Sequence, residues 1–213
     1  LLTGKRGVTV FSIAGFFMVY YIYKSNKPHK RIVNILALLI ALLVVLVVMS
    51  AVMPEMTGFI ARFQEQSRSG DISTGRFALY ALAFQRFLTN PLFGTGWDTF
   101  KYFHELNFGQ MLNVHNVYIQ LLSENGIIGA APFYFLLIWY YVRAVKALKR
   151  LRRRHAGEYP HDELMLSISV AEQTLFLLYC LTGNPLYDPQ ALFPYACSVT
   201  AGEYCIRHPA AKA

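Results

Sequence analysis

At 213 residues the chain is long enough for one domain, and its composition limits the kind: 55% hydrophobic, 15% aromatic and only 15% charged, against roughly a quarter charged in a soluble domain. The net charge of +8 would suit a nucleic-acid partner if it lay on one polar face, but the cations flank long apolar blocks, which points to membrane topology and excludes a nucleic-acid binder. Cys180, Cys197 and Cys205 are an odd set without metal-ligand spacing, so they form neither a disulfide framework nor a zinc site and read as packing residues.

The chain opens Leu1-Leu2-Thr3-Gly4 inside an apolar pattern and without a methionine, which reads as the C-terminal part of a longer protein forming a single membrane domain over 1–213. Arg6 follows, in Thr3-Gly4-Lys5-Arg6-Gly7, at the mouth of a first apolar segment over 8–23. It reads either as an interfacial anchor that snorkels or as an anion contact. That segment ends in Tyr20, Tyr21 and Tyr23, residues at home where lipid meets water. The second segment, 32–53, carries no charge, and as a helix it rises about 33 Å, enough for a hydrocarbon core of about 30 Å.

Residues 54–113 form a long loop that is not linker-like. Phe59, Ile60 and Phe63 predict an amphipathic helix over 55–68, broken by Ser69-Gly70-Asp71. Ser73 or Thr74 can cap a second helix over 76–88, with Phe77, Leu79, Tyr80, Ala83, Phe84 and Phe87 as its apolar residues. Arg76 opens it. A cation there opposes the helix dipole, so it reads as a solvated surface residue or as a partner for an anion that the helix N-terminus also attracts. Asn90-Pro91 ends the helix, and Gly94-Thr95-Gly96-Trp97 predicts a tight loop.

His115 precedes Asn116, which can cap the helix of a third span over 116–142. The histidine reads as structural, or as a base or anion contact at a membrane mouth. Glu124 lies in this span, either in a functional role or as part of the Ser123-Glu124-Asn125-Gly126 helix break. A fourth span covers 164–181 and contains Glu172; a fifth covers 191–206, interrupted by Pro194, Gly202 and Glu203. The fold expected is all-α: a polytopic transmembrane bundle of about five spans with a helical extracytoplasmic loop.

Basic residues orient it. Lys24, Lys27, Lys30 and Arg31 lie between the first two spans, Arg143 to Arg154 holds a dense basic run after the third, and Arg207 and Lys212 follow the fifth. With five spans all three regions share one face, the cytoplasmic one. The basic run also suits contact with anionic lipid. Other chemistry finds no template: Gly94-Thr95-Gly96 lacks the Gly-Lys-Ser/Thr of a P-loop, and no His-Glu-x-x-His, paired-cysteine or nucleophile-elbow motif occurs. No metal and no cofactor is expected.

The ordered motifs Gly75-Arg76-Phe77-Ala78-Leu79-Tyr80, Asn90-Pro91-Leu92-Phe93-Gly94-Thr95-Gly96-Trp97, and His115-Asn116-Val117 through Ser123-Glu124-Asn125-Gly126 to Gly129 resemble the C-terminal signature of the O-antigen ligase and polysaccharide polymerase family. Leu2-Thr3-Gly4-Lys5-Arg6-Gly7 is similar to that family's upstream arginine motif, commonly Ser-Arg, from which Lys5 departs. The resemblance is read over essentially the whole chain. It implies a bacterial inner-membrane glycosyltransferase working on the extracytoplasmic face, in cell-surface polysaccharide biosynthesis. The donor would be an undecaprenyl-diphosphate-linked glycan and the acceptor a glycan or lipid A core sugar, with membrane lipids as surroundings. It implies that Arg6 and Arg76 hold the carrier diphosphate and that His115 serves the diphosphate or the acceptor hydroxyl, so all three are candidate catalytic and substrate-binding residues. Protein O-oligosaccharyltransferase activity, a lipid-linked glycan flippase and a purely structural subunit are the competing readings.

The orientation has a direct test. A cysteine placed at Ser73 should react with a membrane-impermeant reagent added outside the cell, and one at Ala156 should not. Equal labelling of the two would reverse or abolish the shared face.

Overall fold

The computed structural model describes residues 75–154 and 158–208. Among the described residues the protein is all-α, without a strand: α1 (Arg76–Thr89), α2 (Phe100–Phe108), α3 (Val117–Arg154), α4 (Pro160–Tyr179), a 3₁₀ turn (Pro185–Tyr187) and α5 (Pro189–Arg207). From residue 78 onward these belong to one compact unit, and residues 75–77 to another. The expected spans 8–23 and 32–53, the helix over 55–68 and Arg6 lie outside the described residues.

Local chemistry sets most helix ends. Gly75 takes φ 77° just before α1. At the other end Thr89 Oγ1 donates to the Arg86 carbonyl at 2.7 Å and Pro91 prevents continuation. Asn116 caps α3 as expected: its side-chain oxygen accepts from the Ile119 N–H at 3.1 Å. Pro160 and Pro189 occupy the first positions of α4 and α5, where a missing N–H costs nothing. Asp188 caps α5 through the Gln190 N–H at 3.2 Å. The α2 helix, absent from the sequence reading, ends at Gly109 in the left-handed conformation, φ 71°.

The α3, α4 and α5 helices pack as a bundle with two apolar centres. One gathers Val117, Leu121, Leu137, Phe176 and Tyr195, and the other Ala144, Leu148, Leu166, Val170 and Cys205. A side chain at Gly202 would meet Ser169 Oγ at 2.4 Å, so this glycine lets α5 approach α4 closely. Polar residues turn inward: Ser167, Ser169, Gln173 and Ser198 are buried, while Met165, Ile168, Leu178, Phe193 and many α3 side chains, among them Ile127, Phe135 and Ile138, face outward. Cys180 and Cys205 are packing residues as expected, but Cys197 is exposed.

One helix among the described residues, Val117–Arg153, is long and apolar enough to cross a membrane, where the sequence reading expected three in this region. The helix expected for the third span is present, but it runs past residue 142. The α4 helix falls short because it holds Asp162, Glu163 and Glu172; in α5, Pro194, Thr200, Gly202 and Glu203 dilute the apolar content. Glu203 and Glu163 pair with cations of α3. Arg143 grips Glu203 through two parallel contacts of 2.7 and 2.9 Å, and Arg152 reaches Glu163 at 2.8 Å. Both pairs tie the basic end of α3 to its neighbours.

Candidate functional site

The central feature is a break in α3. Gly126 takes φ 62°, ψ −172°, a backbone region essentially closed to residues with a side chain. The break frees helical N–H groups, and the loop after α1 takes them: Ile127 N–H donates to the Pro91 carbonyl at 2.8 Å and Ile128 N–H to Leu92 at 3.1 Å. In return Gly96 N–H donates to the Glu124 carbonyl at 2.7 Å, and Thr95 Oγ1 to the Ser123 carbonyl at 3.3 Å. Backbone meets backbone so closely that a Cβ on Gly94 would lie 2.4 Å from the Glu124 carbonyl, and one on Gly126 would lie 2.3 Å from the Leu92 oxygen. The two glycine motifs singled out in the sequence are the two halves of one joint.

Glu124 locks that joint from inside. Its side chain is fully buried and accepts four hydrogen bonds. Oε1 takes the Phe100 N–H at 3.0 Å and Gln120 Nε2 at 3.0 Å; Oε2 takes the Asp98 N–H at 2.8 Å and the Tyr187 hydroxyl at 2.7 Å. The carboxylate thus supplies the start of α2 with the acceptor that Thr99, which makes no side-chain cap, does not provide. Burial, reinforced by the Glu124 charge, holds the Tyr187 phenol far above its ordinary range, so Tyr187 stays a donor. Tyr187 stacks on Trp97 at 4.7 Å, and Trp97 stacks on Phe133 at 5.5 Å. Arg86 spans the same region, donating to Thr99 Oγ1 at 3.3 Å with its guanidinium 4.4 Å over the Phe103 ring.

From Glu124 the network runs to the candidate histidine. Gln120 Nε2 also donates to Asn113 Oδ1 at 3.2 Å, and Gln120 Oε1 accepts from the Val114 N–H at 3.2 Å. Val114 is buried with Leu79, Ala83 and Phe100, which joins α1 and α2 to this segment. His115 is half-buried with φ 59°, and its carbonyl accepts from the Tyr80 hydroxyl at 3.4 Å. On its other side Asn116 Nδ2 donates to the Leu181 carbonyl at 3.2 Å and Val117 N–H to Cys180 at 2.8 Å. The start of α3 is therefore less open to an anion than the sequence suggests: the Val117 and Ile119 N–H groups already have partners.

Of the candidate residues, His115 sits on this clamped segment and Arg76 is the exposed first residue of α1; Arg6 lies outside the described residues. Sequence reasoning left the role of Glu124 open and missed Gln120, Tyr187 and Arg86. Gln120 precedes Glu124 by four residues on one helix face, a signal that could have been used. Tyr187 joins only through the tertiary fold. Among the described residues no group of His, Cys, Asp and Glu is disposed to hold a metal ion.

A family model described as O-antigen ligase matches residues 1–134. The match holds every motif on which the resemblance was read, but it stops within α3, so the resemblance does not extend over the rest of α3, α4 or α5. No curated protein and no solved structure matches the chain.

The joint makes a sharp demand on residue 124. Each carboxylate oxygen accepts one backbone N–H, so whichever way a glutamine amide is turned, its NH₂ faces a donor. Glu124→Gln should lower the unfolding free energy by about 2 kcal/mol despite its near-identical shape. Denaturant unfolding in detergent measures this, and a parent-like midpoint would refute the assignment.

Proposed function

The chain belongs to the O-antigen ligase family, and from that premise we propose that it is a membrane glycosyltransferase. It moves a glycan from an undecaprenyl-diphosphate carrier to a sugar hydroxyl during cell-surface polysaccharide synthesis, as a ligase to a lipid A core sugar or as a polymerase to a growing chain. The observation that carries this reading is the match over residues 1–134, which contains Arg6, Arg76 and His115. A membrane location is supported by the family and by the long apolar helix Val117–Arg153.

In this reading the protein is multi-pass, with spans at 8–23, 32–53, 116–142, 164–181 and 191–206, and works on the extracytoplasmic face of the bacterial inner membrane. The inward polar and outward apolar residues of α4 and α5 support spans there despite their acids, since helices surrounded by lipid face their polar groups into the bundle.

The reaction breaks the bond between the anomeric carbon and the diphosphate while the acceptor oxygen bonds to that carbon. Arg6 and Arg76 neutralise the charge that grows on the leaving diphosphate; a planar, permanently charged guanidinium suits bidentate phosphate contact. His115 takes the proton from the acceptor hydroxyl as it attacks. Displacement from the side opposite the diphosphate inverts the anomeric centre. The diphosphate is already a good leaving group, so the residues need only supply charge, position and a base. The bonds that hold Asn113, Val114 and Asn116 support the role of His115, because a base is effective only when its backbone is fixed.

Arg76→Ala should abolish transfer with insertion intact, and Arg76→Lys should restore little of it. His115→Ala should cut single-turnover transfer about 100-fold or more while weakening donor binding less than Arg76→Ala does. Assays of purified full-length protein with an undecaprenyl-diphosphate glycan, reading binding and product separately, decide the matter. If His115→Ala loses donor affinity but transfers normally at saturating donor, the histidine is a phosphate ligand. Movement of the donor across liposomes with no product means a transporter.

A further inference from the structure

The basic run at the end of α3 divides by face. Arg143 and Arg152 point at α5 and α4 and meet Glu203 and Glu163. Lys146, Lys149, Arg150 and Arg153 recur at intervals of three, one and three residues, the spacing of a single helix face. All four are exposed, and none has an ion pair with another described residue. They line an open cleft of about 480 Å³, within the usual range of about 300–1,000 Å³ for small-ligand sites. Glu203 and Glu163 pair with the inner cations, and the four outward cations keep their charge.

Position selects the ligand. Exposed apolar side chains continue along α3 through Ile138, Trp139 and Val142, and Trp139, Tyr140 and Tyr141 are the residue types of a lipid–water boundary. Lys146 comes one turn after Val142, about 6 Å further along the axis. That is within the Debye length of about 8 Å over which an anionic surface acts at physiological salt. We propose that Lys146, Lys149, Arg150 and Arg153 form a binding site for the phosphate headgroup of an anionic phospholipid in the leaflet where α3 emerges. A topology signal would need only the number of cations; it would not need paired and unpaired cations on opposite faces. The two lysines supply mobile point charges, and the two arginines can fork onto phosphate oxygens. The site lies outside the proposed reaction centre, and its test is independent of transfer.

The full chain, delipidated and placed in nanodiscs of phosphatidylcholine with or without phosphatidylglycerol, should retain phosphatidylglycerol selectively by native mass spectrometry. K149Q/R150Q should bind that lipid about 25-fold more weakly, about fivefold for each interfacial cation removed. Arg143, Lys146, Arg152, Arg153 and Arg154 remain to hold the orientation. The charge-preserving variant K149R/R150K should bind within about threefold of the parent, which separates lost charge from lost folding. Unchanged retention by K149Q/R150Q would overturn the proposal. So would displacement of the lipid by millimolar glycerol phosphate, which would make the cleft a site for soluble anions.

Discussion

When a helix breaks at membrane depth, N–H groups are left with no water to accept them, and each unsatisfied group costs several kcal/mol. The same cost applies to any backbone buried from water, and the break at Gly126 is buried in protein, inside the one described helix long and apolar enough to span. The protein meets it with backbone from another segment: the carbonyls of Pro91 and Leu92 complete the ladder at Ile127 and Ile128. The loop after α1 is therefore a structural part of α3, and the two must form together. Glycine at 94 and 126 follows from the close approach of two backbones, and Asn90-Pro91 ends α1 where the loop must turn toward the break.

The other described elements around Glu124 depend on that joint. Once the loop is seated, the Asp98 and Phe100 N–H groups come within reach of the Glu124 carboxylate, and α2 starts there. Tyr187 donates to Oε2 beside the Asp98 N–H, which fastens the turn between α4 and α5 to the same point. Gln120 carries the connection back to Asn113 and Val114. His115 ends up on a segment held from α1 by Tyr80, from α3 by Gln120 and from α4 by the Cys180 and Leu181 carbonyls. Its left-handed backbone, φ 59°, is unusual for a residue with a side chain and persists because its neighbours are fixed on both sides.

What the sequence revealed and what it hid follow the same division between local and remote chemistry. The bounds of α1, the Asn116 cap and the tight loop at Gly94-Thr95-Gly96 depend on residues close in the chain, and all were legible. The α2 helix was not, because its first N–H groups are satisfied by a carboxylate far along the sequence and no cap residue marks its start. The end of α3 was placed at 142 because a dense basic run reads as a solvated loop; Arg143 and Arg152 prolong the helix by pairing with acids on α5 and α4. Those same acids lower the apolar character of α4 and α5. Glu203, an apparent interruption in the sequence, is half of an interhelical pair in the fold.

Glu124 is the most deeply buried acid of the site and would be an obvious candidate for a base. Its bonding argues against that role. A carboxylate offers about four lone-pair directions, and here four donors occupy them, two of them backbone N–H groups that cannot move without unseating α2. To accept a proton from a substrate hydroxyl, the group would have to surrender one of these bonds inside a water-poor interior, where an orphaned donor is costly. A base needs an unfilled lone pair directed at the reacting atom, and Glu124 has none to offer. Glu124 thus holds the frame through its four bonds, and in the proposed reaction the proton goes to another group. Within the matched region, His115 is the residue of suitable chemistry that the frame supports on both sides, which is why the proposed mechanism assigns the proton to the imidazole and leaves the carboxylate to the fold.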